Sequence, residues 1–186
     1  RGVSQDLTKQ ELIQKLTRDE IGELTDALNG LLGRIREYQS ELVRLANTDG
    51  LTGILNRRTF FSKGETLLSK YQNGIYFVQI DLDHFKSVND TYGHGIGDQV
   101  LELVGRLLQG SVRTVGEREP DIVGRLGGEE FGILLSTDSI EQAQSVTERL
   151  RATLEKSEVD TGSKPLKITG SFGLAEAKPG ETLDNL

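Results

Sequence analysis

The sequence contains no cysteine, methionine or tryptophan, and only three prolines and two histidines. Without cysteine it can form neither disulfides nor thiolate metal sites, which fits a reducing compartment. No run of about 18 apolar residues is present, so no segment reads as a membrane-spanning helix. No secretory leader pattern is visible either. A basic surplus is also lacking, since 22 Lys and Arg stand against 29 Asp and Glu, for a formal charge of −7. That argues against a duplex nucleic-acid binder, which usually carries a basic stripe. It leaves nucleotide substrates open, because divalent cations can screen phosphate from carboxylates. The chain starts at Arg1 and has no methionine, so it is expected to be a piece of something longer.

The 186 residues suffice for one ordinary domain plus an appendage, and 35% hydrophobic content supports a core. Up to Ala46 there is no proline, and the apolar positions Ile21, Leu24, Leu28, Leu31, Ile35, Tyr38, Leu42 and Leu45 alternate steps of three and four. This is the heptad spacing of a coiled-coil seam. Gly22, Gly30 and Gly33 each weaken a helix by up to about 1 kcal/mol relative to alanine, so the helix needs a partner. That partner is either a second copy or the helix's own domain.

From Asn47 onward strands and helices alternate. Ile75 to Ile80 reads as a buried strand behind Asn73-Gly74. Val100, Leu101, Val104, Leu107 and Leu108 recur at helical spacing. Ile122-Val123 and Phe131 to Leu135 read as strands facing each other across a Gly127-Gly128 turn. A helix over 140–154 and a strand over 168–174 follow, and Thr182 is a candidate helix cap near the end. The order predicts an α/β (α+β) sandwich with helices on a mixed, largely antiparallel sheet.

Asp81 and Asp83 close the apolar strand, and period two puts both carboxylates on one face with Leu82 on the other. Glu129 and Glu130 sit at the hairpin turn, where Gly127 and Gly128 leave backbone open to a ligand. If the strands neighbour each other, the acidic clusters meet. Magnesium favours a few carboxylates, waters and substrate phosphates, so metal-dependent phosphoryl or nucleotidyl transfer follows. The residue types alone go no further than a candidate magnesium site. The connection His84 to Asp98 offers Lys86 as a point charge for phosphate. It also offers Asn89 with Asp98 as a donor and acceptor pattern for a guanine edge. From the residues alone, the favoured reading is a turn-rich loop capping a helix that begins near Asp98.

Asp49-Gly50-Leu51-Thr52-Gly53-Ile54-Leu55-Asn56-Arg57-Arg58 resembles the opening motif of the GGDEF domain family. Asp81-Leu82-Asp83-His84-Phe85-Lys86, Asn89-Asp90, Gly93-His94 and Gly97-Asp98 are similar to its nucleotide-binding stretch. Gly127-Gly128-Glu129-Glu130-Phe131 resembles its signature, with glutamate as the first acid. The resemblance covers 47–186. It implies a palm-like fold related to adenylyl cyclase catalytic domains, and a diguanylate cyclase that condenses two GTP into cyclic di-GMP.

On that resemblance Asp81, Glu129, Glu130 and the Leu82 carbonyl would bind magnesium or manganese. Glu129 would also help deprotonate the attacking ribose 3′-hydroxyl. Lys86 would help neutralise the triphosphate, Asn89 and Asp98 would bind guanine, and Phe85 and His94 would lie near the substrate. Arg57 and Arg58 would form structural salt bridges. Arg118-Glu119-Pro120-Asp121 resembles the family's RxxD inhibitory site for cyclic di-GMP, with Arg149 as a secondary contact. The family's late cationic helix would follow Leu186. Asp19-Glu20-Ile21-Gly22-Glu23-Leu24 resembles the start of the second HAMP helix. This implies a 1–46 signalling segment, a homodimer formed through it, and a cytoplasmic domain of a bacterial inner-membrane receptor. The competing expectation is an inactive domain of this family that binds GTP or cyclic di-GMP. The presence of Asp81, Asn89, Asp98, Glu129 and Glu130 favours catalysis.

Overall fold

The computed structural model describes residues 20–71, 73–113, 121–162, 164–178 and 183. Asp19, Arg118 and Thr182, named above, lie outside the described residues. The chain divides into two compact units, 1–46 and 47–186.

In the first unit the described residues form a single helix, α1 (Glu20–Asn47), which ends at the start of the second. Its seam residues Leu24, Leu28, Leu31, Ile35, Tyr38, Leu42 and Leu45 are all exposed, from 40% at Leu28 to 71% at Tyr38. Apolar side chains left in water along a whole helix contribute nothing to its stability until something covers them.

The second unit runs β1 (Leu55–Asn56), α2 (Arg57–Lys70), β2 (Ile75–Leu82), α3 (Phe85–Tyr92), α4 (His94–Ser111), β3 (Ile122–Gly127), β4 (Glu130–Ser136), α5 (Ile140–Glu155), β5 (Glu158–Val159), β6 (Leu166–Lys167) and β7 (Gly170–Glu176). Five strands form one sheet in the order β1-β3-β4-β2-β7, antiparallel except for the short β1·β3 pair. β5 and β6 form a separate hairpin. This is the expected α+β class, with a mostly antiparallel sheet flanked by helices.

The two sheet faces bury different clusters. Tyr76, Val78, Ile80 and Leu82 of β2 join Phe131, Ile133 and Leu135 of β4 under α3, α4 and α5. The opposite face packs Ile75 and Phe77 against Phe60 and Leu67 of α2. The Phe60 ring lies over Gly124 and Gly132, which are partners across β3 and β4. A Cβ on Gly124 would come within 2.8 Å of Phe60, and one on Gly132 within 2.9 Å of it. Along β2 this second face is buried at Ile75 and Phe77 but exposed at Gln79 and Asp81. The cover of α2 stops halfway, and the end of the sheet that carries the acids stays open.

Two expectations about elements need correction. The connection 84–98 is not a loop before a helix at Asp98. It is two helices that meet at Gly93, whose φ of +82° lets the chain turn between them without a Cβ penalty. The last strand spans Gly170–Glu176, not 168–174.

Candidate active site

β2 is flanked by β4 on one side and β7 on the other. Its register pairs Asp81 with Glu130 and with Ser171. Partners directly opposite share a face, so Glu130, Asp81 and Ser171 form one row across the open end of the sheet. One residue on, the Leu82 N–H donates to the Glu129 carbonyl at 3.3 Å. Pairing alone therefore brings Asp81, Leu82, Glu129 and Glu130 together. Leu82 sends its side chain into the core, 1% exposed, while its backbone stays at the acidic end.

The hairpin turn is held by a short chain of charges. Arg125 donates from Nε and Nη2 to the Gly128 carbonyl at 3.1 and 2.7 Å, and from Nη1 to the Asp49 carboxylate at 3.2 and 3.4 Å. Asp49 also accepts from the Thr52 N–H and hydroxyl at 2.9 and 2.7 Å. Burial alone would raise the Asp49 carboxyl, but the Thr52 and Arg125 hydrogen bonds outweigh it and hold the group below its usual range. The turn that presents Glu129 is thus tied to the loop ahead of β1. Gly128, at φ +39°, occupies the left-handed region there. Neither link was evident from sequence, because Asp49 and Arg125 lie 76 residues apart.

The second acid of the pair, Asp83, is engaged elsewhere. Its carboxylate accepts from the Thr169 and Ser171 hydroxyls at 2.7 and 2.8 Å, and its N–H donates to the Thr169 carbonyl at 3.0 Å. Those hydroxyls, Thr169 first, hold the Asp83 carboxyl below its ordinary value, and the charge of neighbouring His84 adds to the effect. Asp83 therefore ties the exit of β2 to β7. His84 follows in the left-handed region at φ +58° and starts α3, so the chain turns sharply from the acidic row into the next helix.

Phe85, Lys86 and Asn89 lie on α3, and His94 and Asp98 on α4. Lys86, His94 and Asp98 are exposed, Asn89 is half-buried and Phe85 is buried. Among the described residues, no three acidic or imidazole side chains converge into a ready cage for a metal. The donor set at the open end is oxygen only. Two or three carboxylates and a carbonyl, with room for water and phosphate, suit a hard cation such as magnesium. The residues present therefore fit that metal.

Asp121 and Arg149 sit apart from this cluster. Both line a cavity of about 340 Å³ with Arg113, Ser136 and Thr137. Asp121 pairs in space with the last residue of β4, Ser136, whose N–H it accepts at 3.1 Å. It also accepts the Arg113 N–H at 2.9 Å and the Arg113 guanidinium at 3.5 Å. Arg149 donates to the Ser111 carbonyl at 3.0 Å. The length of β4 separates this cavity from Glu130 by about 20 Å. A larger cavity of about 550 Å³ lies along α2 and β1, lined by Ile54, Leu67 and Val123; it shares Asp121 with the smaller cavity and holds none of the predicted metal, catalytic or guanine residues. Arg57 shows a contact to the Leu126 carbonyl at 3.4 Å and lies over the Phe61 ring at 4.9 Å.

The family described as "Diguanylate cyclase, GGDEF domain" matches residues 46–186. Among curated proteins, the chain is 40% identical over 132 residues to a probable diguanylate cyclase, DgcT, of Escherichia coli K12, covering 69% of this chain and 28% of that one. It is 32% identical over 187 residues to diguanylate cyclase VdcA of Vibrio cholerae, covering 94% of this chain and 53% of the relative. The chain thus spans about half or less of the length of these relatives. Among solved structures, it resembles the coiled coil and GGDEF domain of DgcB from Caulobacter crescentus in complex with c-di-GMP. The TM-score is 0.74 and the identity 30%, over 86% of this chain and 84% of that one. With three quarters of its length matched and the acidic row and hairpin turn in place, the chain belongs to the GGDEF domain family of diguanylate cyclases.

Proposed function

We propose that this chain is the catalytic part of a diguanylate cyclase that converts two GTP into cyclic di-GMP and two pyrophosphates. The observation that carries the reading is the register of β2, which aligns Asp81 with Glu130 and joins Leu82 to Glu129 at an uncovered sheet end beside α3. Asp81, Glu129, Glu130 and the Leu82 carbonyl would hold magnesium or manganese. Such an ion supplies positive charge against the charge that develops on the reacting phosphate. Glu129 takes the proton of the ribose 3′-hydroxyl. The 3′-oxygen then bonds to the α-phosphorus of the other GTP, and the α–β phosphoanhydride bond breaks to release pyrophosphate. Lys86 neutralises triphosphate charge, Asn89 and Asp98 bind the guanine, and Phe85 and His94 flank the substrate.

The site is an open sheet end, which suits a reaction completed between two copies. Each copy holds one GTP and orients it toward the other, and this orientation supplies much of the rate. The exposed seam of α1 pairs the copies. Residues 1–46 act as the later part of a HAMP relay in a bacterial inner-membrane receptor, with the catalytic domain on the cytoplasmic side where GTP is found. Cyclic di-GMP binds at Arg118, Asp121 and Arg149 as feedback inhibitor.

The test is product analysis after incubation with GTP and magnesium. Cyclic di-GMP is expected from the wild type, and Asp81→Asn and Glu129→Gln are each expected to lower turnover on the order of a hundredfold or more with unchanged circular dichroism. Near wild-type turnover in either variant would remove it from the metal site.

A further inference from the structure

Gly97 lies in the first turns of α4 with ordinary helical backbone, since its φ is not among the positive values. Nothing in its conformation demands glycine. In a helix glycine is less stable than alanine by roughly 0.5–1 kcal/mol, so its presence here has another cause. That cause is space. A Cβ on Gly97 would sit 1.9 Å from Asn89 Oδ1, 3.0 Å from Asn89 Cγ and 3.3 Å from Phe85 Cζ. No side chain fits in that gap unless the Asn89 amide moves. Two residues earlier on the same helix, a Cβ on Gly95 would meet nothing within 4 Å.

The Asn89 backbone is fixed by its own element. The Asn89 carbonyl accepts the Gly93 N–H at 2.9 Å, closing α3 at the hinge into α4. The ring of Phe85, one turn back on α3, is buried at 7% exposure and borders the same gap, its Cζ 3.3 Å from where a Cβ on Gly97 would sit. The Asn89 amide thus occupies the space against the bare backbone of α4 that a side chain at 97 would need. Asp98, the other proposed guanine contact, is the next residue along that backbone.

We infer that Gly97 is a positioning residue for base recognition: its missing side chain lets the Asn89 amide rest against α4 beside Asp98, in the arrangement that tells guanine from adenine. The inference depends on Asn89 being a guanine contact, as proposed above. Alanine at 97 would push the amide away while leaving Asp98 and the acidic row untouched. The expected signature is loss of base selectivity and not loss of fold or chemistry.

Binding of 3′-deoxy-GTP, which lacks the attacking hydroxyl, and of 3′-deoxy-ATP would be measured on the full chain with magnesium. Gly97→Ala is expected to weaken 3′-deoxy-GTP roughly tenfold, the effect of losing one hydrogen bond, with 3′-deoxy-ATP little changed. Gly95→Ala, the matched substitution into open space, is expected to bind both like the wild type. Because Gly97 acts through Asn89, Gly97→Ala should cost nothing more in an Asn89→Ala background. Equal weakening by Gly97→Ala in both backgrounds, or equal loss for both nucleotides, would make Gly97 a mere packing residue and overturn the inference. Unchanged GTP-analogue affinity in Asn89→Ala would instead overturn the guanine reading itself, and this inference with it. A parallel thermal melt of each variant separates binding loss from unfolding.

Discussion

Asp49 and Asp83 are carboxylates whose value to the fold depends on their staying charged. Each accepts hydroxyl hydrogen bonds, and Asp49 also faces Arg125, so both titrate below their ordinary values in the folded chain. A carboxyl depressed on folding stabilises the native state above its unfolded value, near 3.9 for aspartate, and loses that stabilisation as pH falls through the folded value. The melting temperature should therefore drop between about pH 5 and pH 3. An Asp49→Asn, Asp83→Asn double variant should be less stable at pH 7 and show a flatter curve on acidification. Melts at stepped pH would check this, and parallel curves for wild type and variant would assign the acid sensitivity to other groups. Asp83 and Asp121 show different limits of sequence reading. Asp83 stands in a motif with Asp81 and shares its spacing, yet its carboxylate belongs to Thr169 and Ser171, 86 and 88 residues away. Asp121 reads as a free ligand acid, yet it already accepts two backbone N–H groups and the Arg113 guanidinium.

Among the elements, the Phe60 ring needs the bare backbones of Gly124 and Gly132 beneath it. Gly132→Ala should cost about 1–3 kcal/mol by overpacking, because its Cβ would meet both Phe60 and Leu126. Gly173→Ala, in the same register row but in open space, should be close to neutral. Urea titration would separate the two, and equal midpoints would show that α2 simply shifts. The strand pattern of β2, the β3–β4 hairpin and the helix after it could be read from period and turn residues. α2 was not foreseen, because its buried positions Phe60, Gly64 and Leu67 include a glycine and leave only a thin apolar stripe. The split of 84–98 into two helices was missed because glycines 93, 95 and 97 look alike in sequence. Only the first of them carries a positive φ. The acidic row was half legible: the residues stood out, but their meeting rests on nonlocal pairing that no local pattern encodes.

The α1 helix carries its own prediction. With the seam uncovered among the described residues, pairing of two copies gives its leucines a place to be buried, each worth about 1.5–3 kcal/mol when fully covered. Changing Leu28 and Ile35 together to glutamate should shift the chain toward monomer and lower specific activity most at low protein concentration. Light scattering would read the mass, and an unchanged mass would point to a dimer made elsewhere.

Across the whole molecule, two sites stand at opposite ends of one sheet, the acidic row near Glu130 and the Arg149 cavity near Ser136. On the proposed feedback, product bound at the second would act without touching substrate at the first. Arg118→Ala should weaken cyclic di-GMP binding by about tenfold to a hundredfold, as loss of a charge-assisted hydrogen bond does, with the initial rate little changed. Titration of product into both proteins would decide it, and equal inhibition would remove Arg118 from the regulatory site.

The exposed seam of α1 has a genetic consequence. Its described residues are leucines, an isoleucine and a tyrosine, and none of them belongs to the acidic row. On the proposed pairing, a copy crippled by Asp81→Asn would be accepted as readily as an intact one, and the mixed pair would hold only one working half. Expressed in equal amounts, the crippled copy would leave only about one pair in four intact, as random pairing in a two-fold dimer requires. A damaged allele of this protein would thus behave as a poison and not as a simple loss.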